Sequence, residues 1–142
     1  MQNTESAKLG AQVVCRFLKN CDYYMLATVE GKQPRVRPFG TAVIFEDRLY
    51  IETLYRKRVA KQIKENPLVE ICAMSRDGHA WIRVAGTLVE DQRLEPKEVM
   101  LEEYPFLKNE IAVTDPDLAV YYLRDAVAWI SEEGKPDSEL HF

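Results

Sequence analysis

Two β-rich runs, Leu68 to Met74 and His79 to Glu90, are separated only by Ser75-Arg76-Asp77-Gly78. Asp-Gly is a strong signal for a tight hairpin turn, so the two runs pair as antiparallel neighbours. The same pattern recurs upstream. Tyr23 to Glu30 is rich in β-branched and aromatic residues, and Gly31 lets the chain reverse into a second strand from about Arg35 to Phe45. A turn at Glu46-Asp47 then leads to a third strand, Leu49 to Thr53. A last strand, about Leu118 to Ile130, precedes a polar tail containing Gly134 and Pro136. Pro38 cannot donate to a sheet ladder, so the second strand is expected to be at an edge, bulged, or facing a ligand there, and nearby Gly40 supports a bulge.

Helical spacing of Leu9, Val13, Val14, Phe17 and Leu18 predicts an amphipathic helix from about Glu5 to Asn20. A short helix from about Arg56 to Glu65 places Val59, Ala60 and Ile63 on one face and Lys57, Lys61 and Lys64 on another, until Asn66-Pro67 stops it. Pro96 suits the first turn of a third helix, which runs to about Tyr104 and ends at Pro105. With no repeat or linker, the chain reads as one domain, 1–142. Its expected class is mainly β (β+α), a six-stranded antiparallel barrel, closed or nearly so, with peripheral helices.

Charge narrows the function. Between Lys32 and Lys64 lie nine bases and three acids, a local +6 inside a chain of net charge −4. An acidic protein with one concentrated basic stretch repels nucleic acid and suits a small, discrete anion. No apolar run approaches a membrane span, so no membrane partner and a cytoplasmic location are expected. The odd set Cys15, Cys21 and Cys72 has no CxxC pair and reads as buried thiols. The two histidines, His79 and His141, fit no metal-ligand spacing, so no metal is expected. Neither sits in a nucleophile motif, and the sequence names no catalytic residue.

The basic stretch has internal order. Arg56, Lys57 and Arg58 crowd the first turn of the mid-chain helix, where the macrodipole is already positive and favours acids. A bound phosphate reverses that cost by accepting hydrogen bonds from free amides, the Thr53 hydroxyl and the cations together. The competing reading is a solvated charge run. Arg35 and Arg37, at period two, share one face of a strand. They contact either a ligand or, on a wet face, carboxylates such as Glu52 or Glu70.

The ordered set Leu26-Ala27-Thr28-Val29, Gln33-Pro34-Arg35-Val36-Arg37-Pro38-Phe39-Gly40, Tyr50-Ile51-Glu52-Thr53, Lys57-Arg58, Lys61-Gln62, Asn66-Pro67 and Trp81-Ile82-Arg83-Val84-Ala85-Gly86 spans nearly the whole chain. It resembles the pyridoxamine 5'-phosphate oxidase-like, flavin mononucleotide (FMN)-binding split-barrel family. The resemblance implies a split barrel with FMN as cofactor. It also implies that Arg35, Val36, Arg37 and Pro38 lie along ring and ribityl groups, and that Thr53, Lys57, Arg58 and Gln62 hold the phosphate. Trp81 and Arg83 fall on a strand that in relatives lies near a dimer interface. Leu54, where relatives often have Asn, and Ala60, where a larger residue is common, depart from the pattern.

The implied function is an FMN-dependent oxidoreductase acting on a small-molecule substrate. The alternatives are a non-catalytic flavin-binding or storage module, or a split barrel holding deazaflavin or haem. A homodimer with the cofactor site at its interface is expected, because Trp81, Tyr121, Tyr122 and Trp129 exceed what one core needs, and the adjacent tyrosines point to opposite faces of a strand.

Overall fold

The structure, a computed structural model, describes residues 4–142. Eight antiparallel strands form one mixed-length sheet in the order β2-β1-β5-β6-β7-β4-β3, with β8 added on β7. Their spans are β1 Tyr24–Glu30, β2 Gln33–Phe39, β3 Val43–Phe45, β4 Arg48–Leu54, β5 Leu68–Met74, β6 Ala80–Glu90, β7 Leu118–Glu132 and β8 Ser138–His141. The sheet curls without closing, because β2 and β3 are its two free ends. The helices are α1 Thr4–Lys19, α2 Arg58–Glu65 and α3 Leu94–Glu103, and a 3-10 turn at Pro105–Asn109 follows α3. Helix α2 packs on both β1 and β4, so it bridges the split in the barrel.

Eight strands replace the six expected, for two reasons. The run from Arg35 to Phe45 breaks at Gly40, Thr41 and Ala42. There the buried Tyr24 hydroxyl donates to the Thr41 carbonyl at 2.6 Å, the Tyr104 hydroxyl donates to the Ala42 carbonyl at 3.1 Å, and the Ala42 amide donates to the Tyr104 hydroxyl at 3.0 Å. Two phenols from distant segments thus satisfy backbone groups that would otherwise need a ladder partner. The second reason is β8, a short polar strand in the tail, which zips onto β7 from Val127↔His141 to Ile130↔Ser138. Pro34 and Pro38 are accommodated because β2 is an edge strand, paired only with β1.

Strand β7 runs through the whole barrel by bending once. Opposite Ala85 to Thr87 of β6 it carries one extra residue, and Asp125 takes a positive φ of 52° there. Gly86 faces this bulge, where a Cβ would meet the Leu123 side chain at 2.9 Å. The two faces of β7 meet two cores. Tyr121 joins the barrel interior with Leu26, Ile71 and Ile82, while Tyr122 packs against a second cluster formed by Tyr50, Met100 and Leu118. The adjacent tyrosines do point oppositely, but both faces are covered, so this pair does not argue for a dimer.

Helix α1 buries Gly10, Ala11, Val14, Cys15 and Leu18. Of the expected face, Val14 and Leu18 are buried and Phe17 packs on the core, but Leu9 is 59% and Val13 38% exposed. Close approach of the C-terminal strand selects the small-residue face, since a Cβ on Gly10 would lie 3.1 Å from the His141 carbonyl. Cys15 and Cys21 are buried as expected, and burial pushes the Cys15 thiol up to about 11. Cys72 is not: β5 alternates, and position 72 falls on its outer face. No helix among the described residues is long and apolar enough to cross a membrane.

Candidate anion groove at the barrel split

The split brings together the edge strand β2, the end of β4 and the start of α2. A cleft of about 570 Å³ has Arg35, Val36, Arg37, Lys57, Arg58 and Gln62 in its walls. It shares Arg37, Arg56, Lys57 and Val59 with a neighbouring cleft of about 310 Å³, which reaches Pro38, Glu52 and Thr53. One continuous groove results. Eight of the ten residues singled out from the sequence lie along it; Trp81 and Arg83 do not.

The arginine pair is organised from below. Arg35 and Arg37 pair across from Thr28 and Leu26, so both face the barrel side of β2. Arg37 donates to the Leu26 carbonyl at 3.1 Å, to the Thr28 hydroxyl at 2.7 Å and to the Gln62 side-chain oxygen. No carboxylate pairs with it among the described residues. Burial and the neighbouring Arg35 both press its pKa down, so an anion that relieves this is favoured. Arg35 is paired with Glu30 at 3.0 Å, not with Glu52 or Glu70. Glu30 sits next to it across the hairpin, which is the pairing that the Gly31 turn makes available. The Arg35 and Gln62 hydrogen bonds hold the Glu30 carboxyl below its usual range.

Gln62 is buried and engaged, accepting from Thr28 and Arg37 and donating to Glu30 at 3.3 Å. It braces α2 against β1 and β2, and one N–H of its amide is uncommitted among the described residues. Thr28 and Glu30 are therefore part of the site, although sequence reasoning did not single them out as site residues; the inward-facing hairpin register carries that signal.

Helix α2 begins unusually. Its N-cap is Lys57, which offers no side-chain acceptor, and the first turn contains no acid. The Arg58 and Val59 amides find no acceptor among the described residues. Arg56 is tied to Asp117, its amide donating to Oδ1 at 2.9 Å, whereas Lys57 and Arg58 make no ion pair among the described residues. Beside them Thr53 is 3% exposed, and its hydroxyl makes no hydrogen bond among the described residues. Free amides, two uncommitted cations and an uncommitted hydroxyl converge where a phosphate would be neutralised.

The other end of the groove is acidic. Glu52 and Glu110 both line it, and burial raises the Glu52 carboxyl above its ordinary value, with Lys57 pulling it back and Glu110 adding to the rise. The two departures from the family pattern leave the cations in place. Leu54 lines the groove while packing against the second core, and Ala60 lines a different cavity.

Trp81 and Arg83 lie on the outer face of β6. The Arg83 guanidinium sits 5.6 Å from the Trp81 ring centre and 5.2 Å from that of Trp129. Exposed apolar side chains share that face of the sheet, Val36 at 67%, Met74 at 60%, Trp81 at 40% and Met25 at 37%, together with the exposed Glu70. The histidines are elsewhere. His79 bonds Glu133 beside its hairpin, and His141 on β8 bonds Glu139 at 3.0 Å.

Residues 12–124 match the family model for pyridoxamine 5'-phosphate oxidase. Among solved structures, a NimC/NimA family protein from Clostridium acetobutylicum is 38% identical, with a TM-score of 0.94 over 98% of this chain and 96% of that one. A pyridoxamine 5'-phosphate oxidase-related, FMN-binding protein from Nostoc punctiforme shares 18% identity, with a TM-score of 0.60 over 100% of this chain and 97% of that one. A heme binding protein from Mycobacterium smegmatis shares the fold at 10% identity and a TM-score of 0.72, covering 99% of this chain and 59% of that one. No functionally curated protein matches the chain.

Proposed function

Because the chain belongs to the pyridoxamine 5'-phosphate oxidase family, we propose that its groove binds FMN at the interface of a homodimer and serves an oxidoreductase acting on a small molecule. The observation that carries this reading is the start of α2. Lys57 and Arg58 make no ion pair among the described residues there, and the Thr53 hydroxyl, open to the groove, makes no hydrogen bond among them. These residues would hold the phosphate, and Arg37, fixed by Thr28 and Gln62, would lie along the remainder. When bound, FMN supplies hydride and single-electron chemistry.

The chain's own contribution is placement and charge. Lys57, Arg58 and the free amides neutralise a dianion. Arg37, already desolvated, offers its remaining donor capacity to a carbonyl-rich edge. Glu52 holds a proton more tightly than an exposed carboxylate does, which suits it to exchange one with a substrate in the acidic end of the groove. The apolar outer face around Val36, Met74 and Trp81 supports the dimer, since it needs a cover, and a second copy placed there brings Trp81 and Arg83 toward a neighbour's site. FMN is favoured over haem because neither histidine lines the groove, so no imidazole is positioned as an axial ligand.

An absorption spectrum of the purified protein tests the cofactor. The expected result is a yellow protein with two visible and near-ultraviolet flavin bands; a dominant Soret band, or no chromophore even after incubation with FMN, contradicts it. Reduction by NADH or NADPH followed by reoxidation with an added acceptor supports the oxidoreductase. A flavin inert to every reductant supports the storage module.

A further inference from the structure

On the far side of α2 lies a cavity of about 770 Å³, larger than either cleft of the groove. The helix separates the two. Val59 and Gln62 face the groove, whereas Ala60, Ile63 and Lys64 face the cavity. Ile63, Leu88 and Tyr121 belong to its walls and also to the barrel core, so the cavity is the place where the barrel interior opens outward. Barrel mouths are favourable ligand sites because apolar walls and a few fixed polar groups meet there.

One of those polar groups is unused. Tyr121 is 3% exposed and lines the cavity, yet its hydroxyl makes no hydrogen bond among the described residues. No fully buried side-chain polar atom lacks a partner among the described residues, so this hydroxyl is reached from the cavity and is free to donate into it. Nearby Tyr55 is committed, donating to Glu90, which also accepts from Gln92 at 3.5 Å. Glu90 is the one acid of the lining, against three cations, Lys64, Lys97 and Arg124. Lys64 and Lys97 make no ion pair among the described residues, and Arg124 has only its exposed neighbour Asp125, at 3.5 Å. The mouth therefore combines apolar and aromatic walls, an uncommitted hydroxyl that opens into the cavity and a surplus of positive charge.

We propose that this barrel mouth is a second ligand site, for a small organic anion with an aromatic body, of the aryl carboxylate type. The body packs on Ile63, Leu88 and the tyrosine rings. The carboxylate accepts from the Tyr121 hydroxyl and is neutralised by Lys97 and Arg124. The inference does not depend on what the groove binds, because no cation is shared between the two sites.

Calorimetric titration of the full chain with 2-naphthoate, with and without saturating FMN, tests it. The expected result is one binding event per chain whose affinity FMN leaves unchanged. Tyr121→Phe, which removes only the hydroxyl, is expected to weaken it roughly tenfold, in keeping with a charge-assisted hydrogen bond. Lys97→Ala with Arg124→Ala, both away from the core, is expected to weaken it at least as much and keeps the test open if Tyr121→Phe fails to fold. No binding at millimolar 2-naphthoate, unchanged affinity in the variants that fold, or displacement by FMN would overturn the proposal.

Discussion

Arg37 of the edge strand donates to the buried side chain of Gln62 on α2, and this bond crosses the opening of the barrel. It connects the two elements that form opposite walls of the groove. Thr28 joins the same oxygen from β1, so three elements converge on one acceptor.

Replacing Gln62 by Ala leaves Thr28 and Arg37 without their shared acceptor inside the structure. A loss of about 1–3 kcal/mol is expected, since buried polar groups would be left unpaired. Urea unfolding measures this. A variant as stable as the parent would show that the shared acceptor contributes nothing to stability.

Thr53→Val keeps the volume and removes the uncommitted hydroxyl. Stability should hardly change, because that hydroxyl bonds nothing among the described residues. FMN affinity is expected to fall roughly tenfold, the effect of one hydrogen bond to a charged phosphate. Fluorescence titration of FMN reads both the parent and the variant.

Glu52 gives a signed dependence on pH. Its pKa is raised in the folded chain, so folding disfavours its ionised form. Its contribution is favourable below the unfolded value near 4.5 and is lost as pH rises through the higher folded value. Glu52→Gln is therefore expected to raise the melting midpoint of the FMN-free protein at pH 7, with the gain vanishing below about pH 4.5. A midpoint lowered at pH 7 would contradict this.

Asp91 has the opposite sign. Arg93, then the Tyr50 hydroxyl at 2.8 Å, hold its carboxyl down to about 2. That stabilisation is complete above the unfolded value of 3.8 and disappears as pH falls through about 2. Asp91→Asn should lower the melting midpoint at pH 7, and the gap between variant and parent should narrow on acidification across that window.

Much of this architecture was legible because it is local. The Asp77-Gly78 turn, the Gly31 turn, the start of β4 and the basic opening of α2 each depend on residues within a few positions of one another. The missed features depend on distant partners. Nothing near Gly40 announces that Tyr24 and Tyr104 will cap a strand break, and nothing in Leu9 or Val13 shows that Phe142 will press against Gly10 and turn the helix. The tyrosine pair at 121 and 122 misled for a related reason. Strict alternation was correct, but a second core on the far side of β7 can be foreseen only once α3 is placed.

The outer face around Trp81 gives a prediction about assembly. Trp81→Glu puts a charge at the centre of an apolar surface, and light scattering at micromolar concentration should then read a monomer where the parent reads a dimer. A parent that is itself monomeric would remove the shared-site arrangement.

Comparing FMN with riboflavin isolates the terminal phosphate that Lys57 and Arg58 are proposed to neutralise. The parent is expected to prefer FMN by at least about 100-fold, two charge-assisted contacts in energy. In Lys57→Ala with Arg58→Ala the preference should fall to roughly tenfold, the share left to the Thr53 hydroxyl and the free amides. A double variant that still prefers FMN as strongly as the parent does would contradict the claim.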